Sequence, residues 1–363
     1  MTHSAFQRFQ SVIYIIMVLM LRHCRKIFIK LLATIYLVLI IYSVINYNSR
    51  CRTTMPDVLD YRYLSDPIYF NKCRIDFPAL GIKKIDIFNE PEIKLIQEEN
   101  KQVKLGGSWR PMTCDSWQKI AIVIPYRDRW KHLKILLNRL HPMLTRQKAD
   151  YRIFVIEQSG ISTFNRGKLM NIGYLEALDY DSFDCFVFHD VDLIPENDKN
   201  IYLCDQHARH LASAIDEMRY HVMFYNYAGG VIAINRENVK KINGYSNFYW
   251  GWGNEDDDLS ARTKSAGLLL TRPPEYIGRY KMVRHVKDSR AEHGNELFLS
   301  WRSRWSADGL NDHEGMNYTV VARDNRPLYT NITVNIGTST VPKKQPTNPV
   351  QESLWWFFNF YYP

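Results

Sequence analysis

Cys185-Phe186-Val187-Phe188-His189-Asp190-Val191-Asp192-Leu193-Ile194-Pro195 is the stretch whose reading decides the fold. An apolar, β-favouring run gives way to two aspartates two positions apart, and Pro195 closes it. Such a run suits a strand buried on both faces, as in a parallel sheet. A strand ending in Asp-x-Asp delivers both carboxylates to the sheet's carboxyl edge, where open α/β sheets bind ligands. Carboxylate oxygens suit a hard divalent cation, and such a cation commonly partners phosphate. The alternative is a polar turn after a core strand, and the surrounding chain decides between the two.

Working outward, Ile120 to Pro125 (IAIVIP) reads as another buried strand, and Trp130 to Leu144 has helical apolar spacing. Tyr151 to Glu157 is a strand, Phe164 to Leu178 a helix, and the opening strand extends over Asp184 to Asp192. This βαβαβ succession predicts an α/β fold with a doubly wound, mostly parallel central sheet flanked by helices. An amphipathic piece from Pro91 to Val103 precedes it. Beyond it, Ile201 to Met218 is polar and expected to be part loop, part helix. Val222 to Ile234 is strand-like around Gly229-Gly230. Leu259 to Gly267 is a short helix that Gly267 can end, and Tyr276 to His285 is a further strand or loop. There are no internal repeats.

The chain has 363 residues, 46% apolar and 23% charged, with 13% aromatic and a formal charge of +9. The first 47 residues hold Arg8, Arg22, Arg25, Lys26 and Lys30 and no acid, so they account for five of those charges and the rest of the chain carries +4. That is too weak for a nucleic-acid partner, and no basic stripe with interleaved aromatics is present. Ile27 to Tyr47 is an apolar run of bilayer length, and the basic residues before it place the N-terminus in the cytosol. The expected layout is a cytosolic tail (1–26), a transmembrane anchor (27–47), a stem (48–70), a catalytic domain (71–340) and an aromatic tail (341–363) ending SLWWFFNFYYP. Cys73, Cys114, Cys185 and Cys204 form an even set in the part beyond the membrane, an oxidising compartment, and none has zinc-site spacing. Asn317-Tyr318-Thr319 and Asn331-Ile332-Thr333 are glycosylation sequons.

Three further stretches carry chemistry. Glu255-Asp256-Asp257-Asp258 follows Tyr249-Trp250-Gly251-Trp252-Gly253-Asn254. Acids in a first helical turn oppose the dipole, with Asn254 as N-cap, but four are more than a cap requires. The flanking aromatic and glycine loop suits a sugar ring and a closing lid, and a carboxylate here is a candidate general base for a hydroxyl. Met282-Val283-Arg284-His285 offers His285 as a neutral metal ligand, whereas softness alone would not nominate Met282. Ile124-Pro125-Tyr126-Arg127-Asp128-Arg129 ends a strand with two arginines able to grip a diphosphate.

Taken together, FHDVDLIPENDKNIYLC, YAGGVIAINRENVKKINGYSNFYWGWGNEDDDL, RYKMVRH, IPYRDR, STFNRGKLMNIGY and RPLYTNITVNIGT resemble the β-1,4-galactosyltransferases, Golgi type II membrane enzymes of glycosyltransferase family 7. The resemblance covers residues 70 to 338. It implies a GT-A fold, a Rossmann-like sheet flanked by helices, with a luminal catalytic domain. The implied ligands are a UDP-galactose donor, Mn²⁺ and an acceptor glycan ending in N-acetylglucosamine. By motif position it implies Asp192, Met282 and His285 as metal ligands and Asp256 as catalytic base. Pro125, Tyr126, Arg127, Arg129, Phe164, Arg166, Asp190, Val191, Trp252, His285 and Asp288 would serve the donor. Tyr227, Gly230, Trp252, Asn254, Glu255, Asp256, Asp257 and Phe298 would serve the acceptor. It also implies two disulfides, Cys73 with Cys114 and Cys185 with Cys204.

Within that family, Tyr227 resembles the galactosyl version, since a bulky ring crowds the acetamido group of an N-acetylgalactosamine donor. Departures are Asn254 where Gly is usual, Leu297-Phe298 where Arg-Phe is frequent, Tyr126 for Phe, and an aromatic tail that matches nothing. His189 is similar to the branch whose acceptor is xylose, while the paired cysteines and the full acid run are similar to the branch acting on N-acetylglucosamine. The expected reaction is a single in-line displacement that inverts the donor's anomeric centre.

Overall fold

The structure is a computed structural model describing residues 30, 33–42, 71–286, 289–291, 293–312 and 314–339. The chain divides into a unit of residues 1–53 and a unit of residues 54–363. In the first, residues 33–42 are helical and exposed. Among the described residues no helix is long and apolar enough to cross a membrane. Most of the expected anchor at 27–47, the stem and the aromatic tail lie outside the described residues, as does Asp288.

In the second unit the apolar runs become strands as their composition dictates. After a short β1 (Ser108–Trp109), β2 (Lys119–Tyr126) is buried from Ile120 to Tyr126. A strand with no polar face needs a layer on each side of it. β2 pairs in parallel with β3 (Asp150–Gln158) and with β4 (Cys185–His189). The helix Trp130–Arg146 turns Leu133, Leu136, Leu137, Leu140 and Met143 inward to cover one face of the sheet. The helix Arg166–Leu178 joins the core on the other face. Its start is coded locally, because the Asn165 side chain accepts from the Lys168 N–H at 2.9 Å as an N-cap. Its close seat on the sheet requires Gly173, where a Cβ would stand 2.2 Å from Val123 Cγ1. That seat fixes where Arg166, the helix's first residue, can reach.

β4 ends earlier than expected, at His189, and Asp190 to Asp192 form a turn into β5 (Leu193–Pro195). The polar stretch 201–218 contains two short strands, β6 (Ala208–His210) and β7 (Ala214–Ile215), with one 3-10 turn at Asp216–Met218 in place of the expected helix. Only the end of 222–234 is extended, as β8 (Val231–Asn235). β9 (Leu270–Thr271), β10 (Arg279–Met282), β11 (Thr319–Asn325) and β12 (Thr330–Asn335) complete the set.

The main sheet has the order β11-β12-β3-β2-β4-β8-β6-β9, with β1 added against β3, and a second sheet has the order β5-β10-β7. The block β12-β3-β2-β4 is parallel. β8 runs antiparallel to both β4 and β6, and β11 and β1 are antiparallel to their neighbours. The sheet is therefore mixed, and a doubly wound parallel sheet describes only its centre. The reversal at β8 matters, since it brings Gly229 and Gly230 back to the edge where β4 releases Asp190.

Both disulfides implied by the resemblance are formed, Cys73–Cys114 and Cys185–Cys204. The second ties the start of β4 to the loop that precedes β6. Of the two sequons, Asn317 is exposed, whereas Asn331 lies within β12 and its amide donates to Glu157 Oε2 at 2.9 Å.

Candidate active site

Asp190 leaves β4 held at both ends. Its N–H donates to the Gly230 carbonyl at 3.0 Å, and its own carbonyl accepts from His189 Nδ1 at 2.8 Å. Two residues on, the Asp192 carbonyl accepts from the Val283 N–H at 2.8 Å. This bond and the pairing of Met282 with Leu193 dock the end of β10 beside the Asp-x-Asp turn. His285 follows, and its Nε2 stands 3.1 Å from Asp192 Oδ2.

The His285 ring is oriented by its other nitrogen, 2.7 Å from the Val286 carbonyl, which places the proton on Nδ1. Arg129 Nη2 also approaches Nδ1, at 3.2 Å, but the shorter contact decides the tautomer. The Nε2 lone pair is then turned toward a carboxylate. Two electron-rich atoms at this distance call for a cation or a proton between them, and the bond to Asp192 holds the His285 pKa above its ordinary value. Among the described residues no three His, Cys, Asp or Glu side chains group as a metal site. Met282, half-buried at the end of β10, stands one residue from the bond to Asp192. Asp192 and His285 together offer a divalent ion one carboxylate oxygen and one imidazole nitrogen.

Arg166 links this turn to the acid run. Its Nε is 2.5 Å from Asp190 Oδ1, its Nη1 is 2.7 Å from Asp256 Oδ1, and Glu255 Oε1 is 3.6 Å away. Burial alone would lower the guanidinium pKa, but Asp190 and Asp256 outweigh it and push it well above the ordinary value. Among the described residues nothing accepts from Arg166 Nη2, a buried donor. Buried donors are almost always satisfied, so this atom is suited to a ligand. Burial raises the Asp190 pKa to about 7 against the opposing pull of Arg166. Glu255 is pushed up to about 8 by burial and then by Asp256, and Asp257 to about 7 by burial and by Asp256 and Asp258.

The acid run heads the helix Glu255–Ser265. Asn254 does not cap it in the expected way: it is left-handed at φ 73° and its side chain makes no capping bond. The chain enters from Gly253, also at positive φ, and Glu255 Oε2 accepts from the Gly253 N–H at 3.2 Å. Asp258 has a structural role. It is fully buried and takes bonds from Arg262 Nε at 2.5 Å, Tyr249 Oη at 2.8 Å and Arg304 Nη2 at 3.2 Å. Arg262 and Arg304 also hold Asp308.

Tyr227 is brought to the same place. A Cβ on Gly229 would lie 2.5 Å from Tyr227 Oη and 3.0 Å from Asp256 Oδ2, so the glycine leaves open the gap between them. The loop is fixed from behind by residues the sequence did not nominate. Arg272 Nη2 donates to the Tyr225 and Tyr227 carbonyls at 2.8 and 2.5 Å, and its Nε donates to His210 Nδ1 at 3.0 Å. His210 Nε2 passes the chain on to Gly229 O at 2.8 Å. Burial, then Arg272, depresses the His210 pKa to about 3, so the ring is neutral and the direction of this chain is settled. Periodicity gives no sign of these two residues, because each is paired with backbone far away in sequence.

On the other side, Arg127 lies over Phe164, 5.3 Å to the ring centre, and donates to Ser162 O. Phe164 in turn accepts from the Gly251 N–H at 2.8 Å. Pro125 and Tyr126 end β2. Trp252 is half-exposed and strapped to residues 289–291: its N–H donates to Ser289 O and its carbonyl accepts from the Ala291 N–H. Val191 is half-buried at the turn. Phe298, on the helix Gly294–Leu299, is 4% exposed and offers almost no surface to an acceptor in this conformation. A separate concavity of about 670 Å³, lined by residues such as Lys72, Arg110, Lys119, Asp150 and Asp184, lies at the amino ends of β2, β3 and β4. It holds none of the residues above, and ligands of open α/β sheets bind at the carboxyl edge, where the acids converge.

Sheet and site together define a GT-A-like fold with its polar residues at the carboxyl edge. The catalytic domain of Drosophila β-1,4-galactosyltransferase 7, in complex with xylobiose, superposes with a TM-score of 0.51 at 28% identity, over 60% of this chain and 92% of that one. A mutant of the same enzyme, in complex with manganese, UDP-Gal and xylobiose, superposes equally well. Residues 73–205 match the family profile of the N-terminal region of glycosyl transferase group 7, and residues 209–286 match that of the N-terminal domain of galactosyltransferase. Mouse β-1,4-galactosyltransferase 3 is 44% identical over 71% of this chain and 66% of its own length. β-1,4-galactosyltransferase 4 of Cricetulus griseus is 44% identical over 69% and 73%. The chain belongs to the β-1,4-galactosyltransferase family, glycosyl transferase group 7. It spans 66% of the length of the mouse relative.

Proposed function

We propose that the chain is an inverting, metal-dependent β-1,4-galactosyltransferase. It would move galactose from UDP-galactose to the 4-hydroxyl of a terminal N-acetylglucosamine. The observation that carries this is the convergence of Asp190 and Asp256 on one buried arginine beside the Asp192–His285 pair. Asp192, Met282 and His285 would hold the ion. A bound Mn²⁺ supplies neutralisation of the charge that develops on the departing diphosphate.

The chain's own residues do the rest. Arg127 and Arg129 grip the diphosphate beside Pro125 and Tyr126, and Phe164, Arg166, Asp190 and Val191 seat the nucleotide sugar. Asp256 takes the proton from the acceptor hydroxyl as that oxygen attacks. Glu255 and Asp257 orient the acceptor sugar, with Tyr227, Gly230 and Asn254 around it. Trp252 covers the donor and excludes water. Residues 71–340 form the catalytic domain behind an anchor at 27–47, in the Golgi membrane with the catalytic part luminal. Tyr227 favours galactose over N-acetylgalactosamine as donor. Supporting a second reading, in which the acceptor is xylose, is His189 immediately before the Asp-x-Asp turn.

The test is a matrix of both donors and both acceptors, with Mn²⁺ and EDTA arms, run on the parent and on Asp256→Asn. Retained UDP binding with transfer lost is expected of the variant. Near-normal transfer by the variant removes Asp256 as base, and preferred use of xylose or of UDP-N-acetylgalactosamine reassigns the substrate.

A further inference from the structure

The proposed metal ligands lie where the two sheets meet: Asp192 closes the turn from β4 of the main sheet into β5 of the small one, while Met282 ends β10 of the small sheet and His285 follows it. Behind them lies a fully buried polar chain of Asn200, Tyr202, Tyr280 and His189, each at 0% exposure. Its direction is forced link by link. The Asp190 carbonyl can only accept, so His189 Nδ1 donates to it at 2.8 Å. Neutral imidazole then has an acceptor at Nε2, so Tyr202 donates to it at 3.0 Å. The Tyr202 hydroxyl proton is thereby committed, so Tyr280 donates to Tyr202 at 2.9 Å. Tyr280 Oη accepts in turn from Asn200 Nδ2 at 3.2 Å.

Tyr280 stands on β10 two residues before Met282, and its strand register is Tyr280 opposite Pro195 and Met282 opposite Leu193. His189 is the last residue of β4. The chain of hydrogen bonds therefore joins the two strands that deliver the two halves of the site. It ends on the carbonyl that opens the Asp-x-Asp turn, which also accepts from the Leu193 N–H at 3.4 Å. Breaking it would leave the Asp190 carbonyl held by the long Leu193 N–H bond alone and would remove the buried side-chain link between β4 and β10.

We propose that His189, Tyr202 and Tyr280 are positioning residues that keep Asp192 in register with Met282 and His285. This rests on the metal-site reading above. Partners that orient metal ligands typically change metal affinity by about 10–100-fold when removed.

The experiment is a Mn²⁺ titration of the purified full chain with UDP present, following free Mn²⁺ by electron paramagnetic resonance, for the parent, Tyr202→Phe and Tyr151→Phe. Tyr151 is the control: its hydroxyl is also buried and bonded, to His141 Nδ1 at 2.7 Å, but in the core beneath the helix Trp130–Arg146. Tyr202→Phe should raise the Mn²⁺ dissociation constant at least about 10-fold. Tyr151→Phe should leave it unchanged, and galactosyl transfer by Tyr202→Phe should recover at saturating Mn²⁺. If Tyr202→Phe does not fold, Tyr280→Phe breaks the same chain one link further out. Binding by Tyr202→Phe within twofold of the parent overturns the proposal, as does equal weakening by Tyr151→Phe. A parent that binds no Mn²⁺ overturns the metal-site reading itself.

Discussion

Replacing Arg166 with methionine removes one cation from among three carboxylates, and the structure sets the size of the effect. Arg166 is 11% exposed, with Glu255 at 6%, Asp190 at 25% and Asp256 at 23%. Breaking a buried pair by removing one partner costs about 3–5 kcal/mol. The partial exposure of two of the acids argues for the lower end, about 3 kcal/mol. For a domain of this size that corresponds to a fall in Tm of about 6–12 °C.

The pH dependence follows from Asp190 near 7 and Glu255 near 8. A carboxyl whose folded pKa is raised contributes stability that is present at low pH and lost as pH rises through that pKa. Removing Arg166 raises both values further. At pH 5 protons stand in for the guanidinium and the deficit is small, whereas at pH 8 the charges are unrelieved and it is largest. Thermal unfolding of parent and Arg166→Met between pH 5 and 8, with EDTA present to remove any bound ion, measures this. A deficit that shrinks as pH rises, or a Tm at pH 8 within 2 °C of the parent, refutes the reasoning.

Asp257→Asn should raise Tm by about 2–4 °C at pH 8 and leave it unchanged near pH 4, since burial holds the Asp257 pKa at about 7 and penalises its ionised form only above the unfolded value; equal shifts at both pH values would show that charge is not the cause. Gly229→Ala places a methyl group between Tyr227 and Asp256. The expected loss in kcat/KM is about 100-fold, roughly 2.7 kcal/mol of transition-state stabilisation, with UDP binding retained. A loss below threefold would mean that the acceptor does not use this gap.

The βαβαβ centre was legible because its strands are uninterrupted apolar runs and its helices carry a clear apolar face. The strand end at His189 was not, because Asp190 and Val191 continue a β-like alternation, and the turn that follows is held by contacts remote in sequence, among them the Val283 N–H on the Asp192 carbonyl. β6 and β7 escaped notice because they are two or three residues long in a polar segment. The polar residues of β6, Arg209 and His210, are buried against partners that no local pattern reveals. Arg166 was nominated for a donor, but its place between two acid motifs exists only once β8 has reversed. Asn254 is a good capping residue by type, but the preceding glycine turn brings the chain in from the left-handed region and removes its side chain from the task.

Asp258 gives the acid run a division of labour with a consequence for how such a chain can vary. Glu255 and Asp256 meet Arg166, while Asp258 meets Arg262, Arg304 and Tyr249 underneath. A library randomised at Glu255 and Asp257 would sample new acceptors in proteins that still fold. The same library extended to Asp258 would mostly sample misfolded ones, because two arginines would lose a shared anion. One word of four letters in the sequence thus serves the candidate site at its start and the fold at its end.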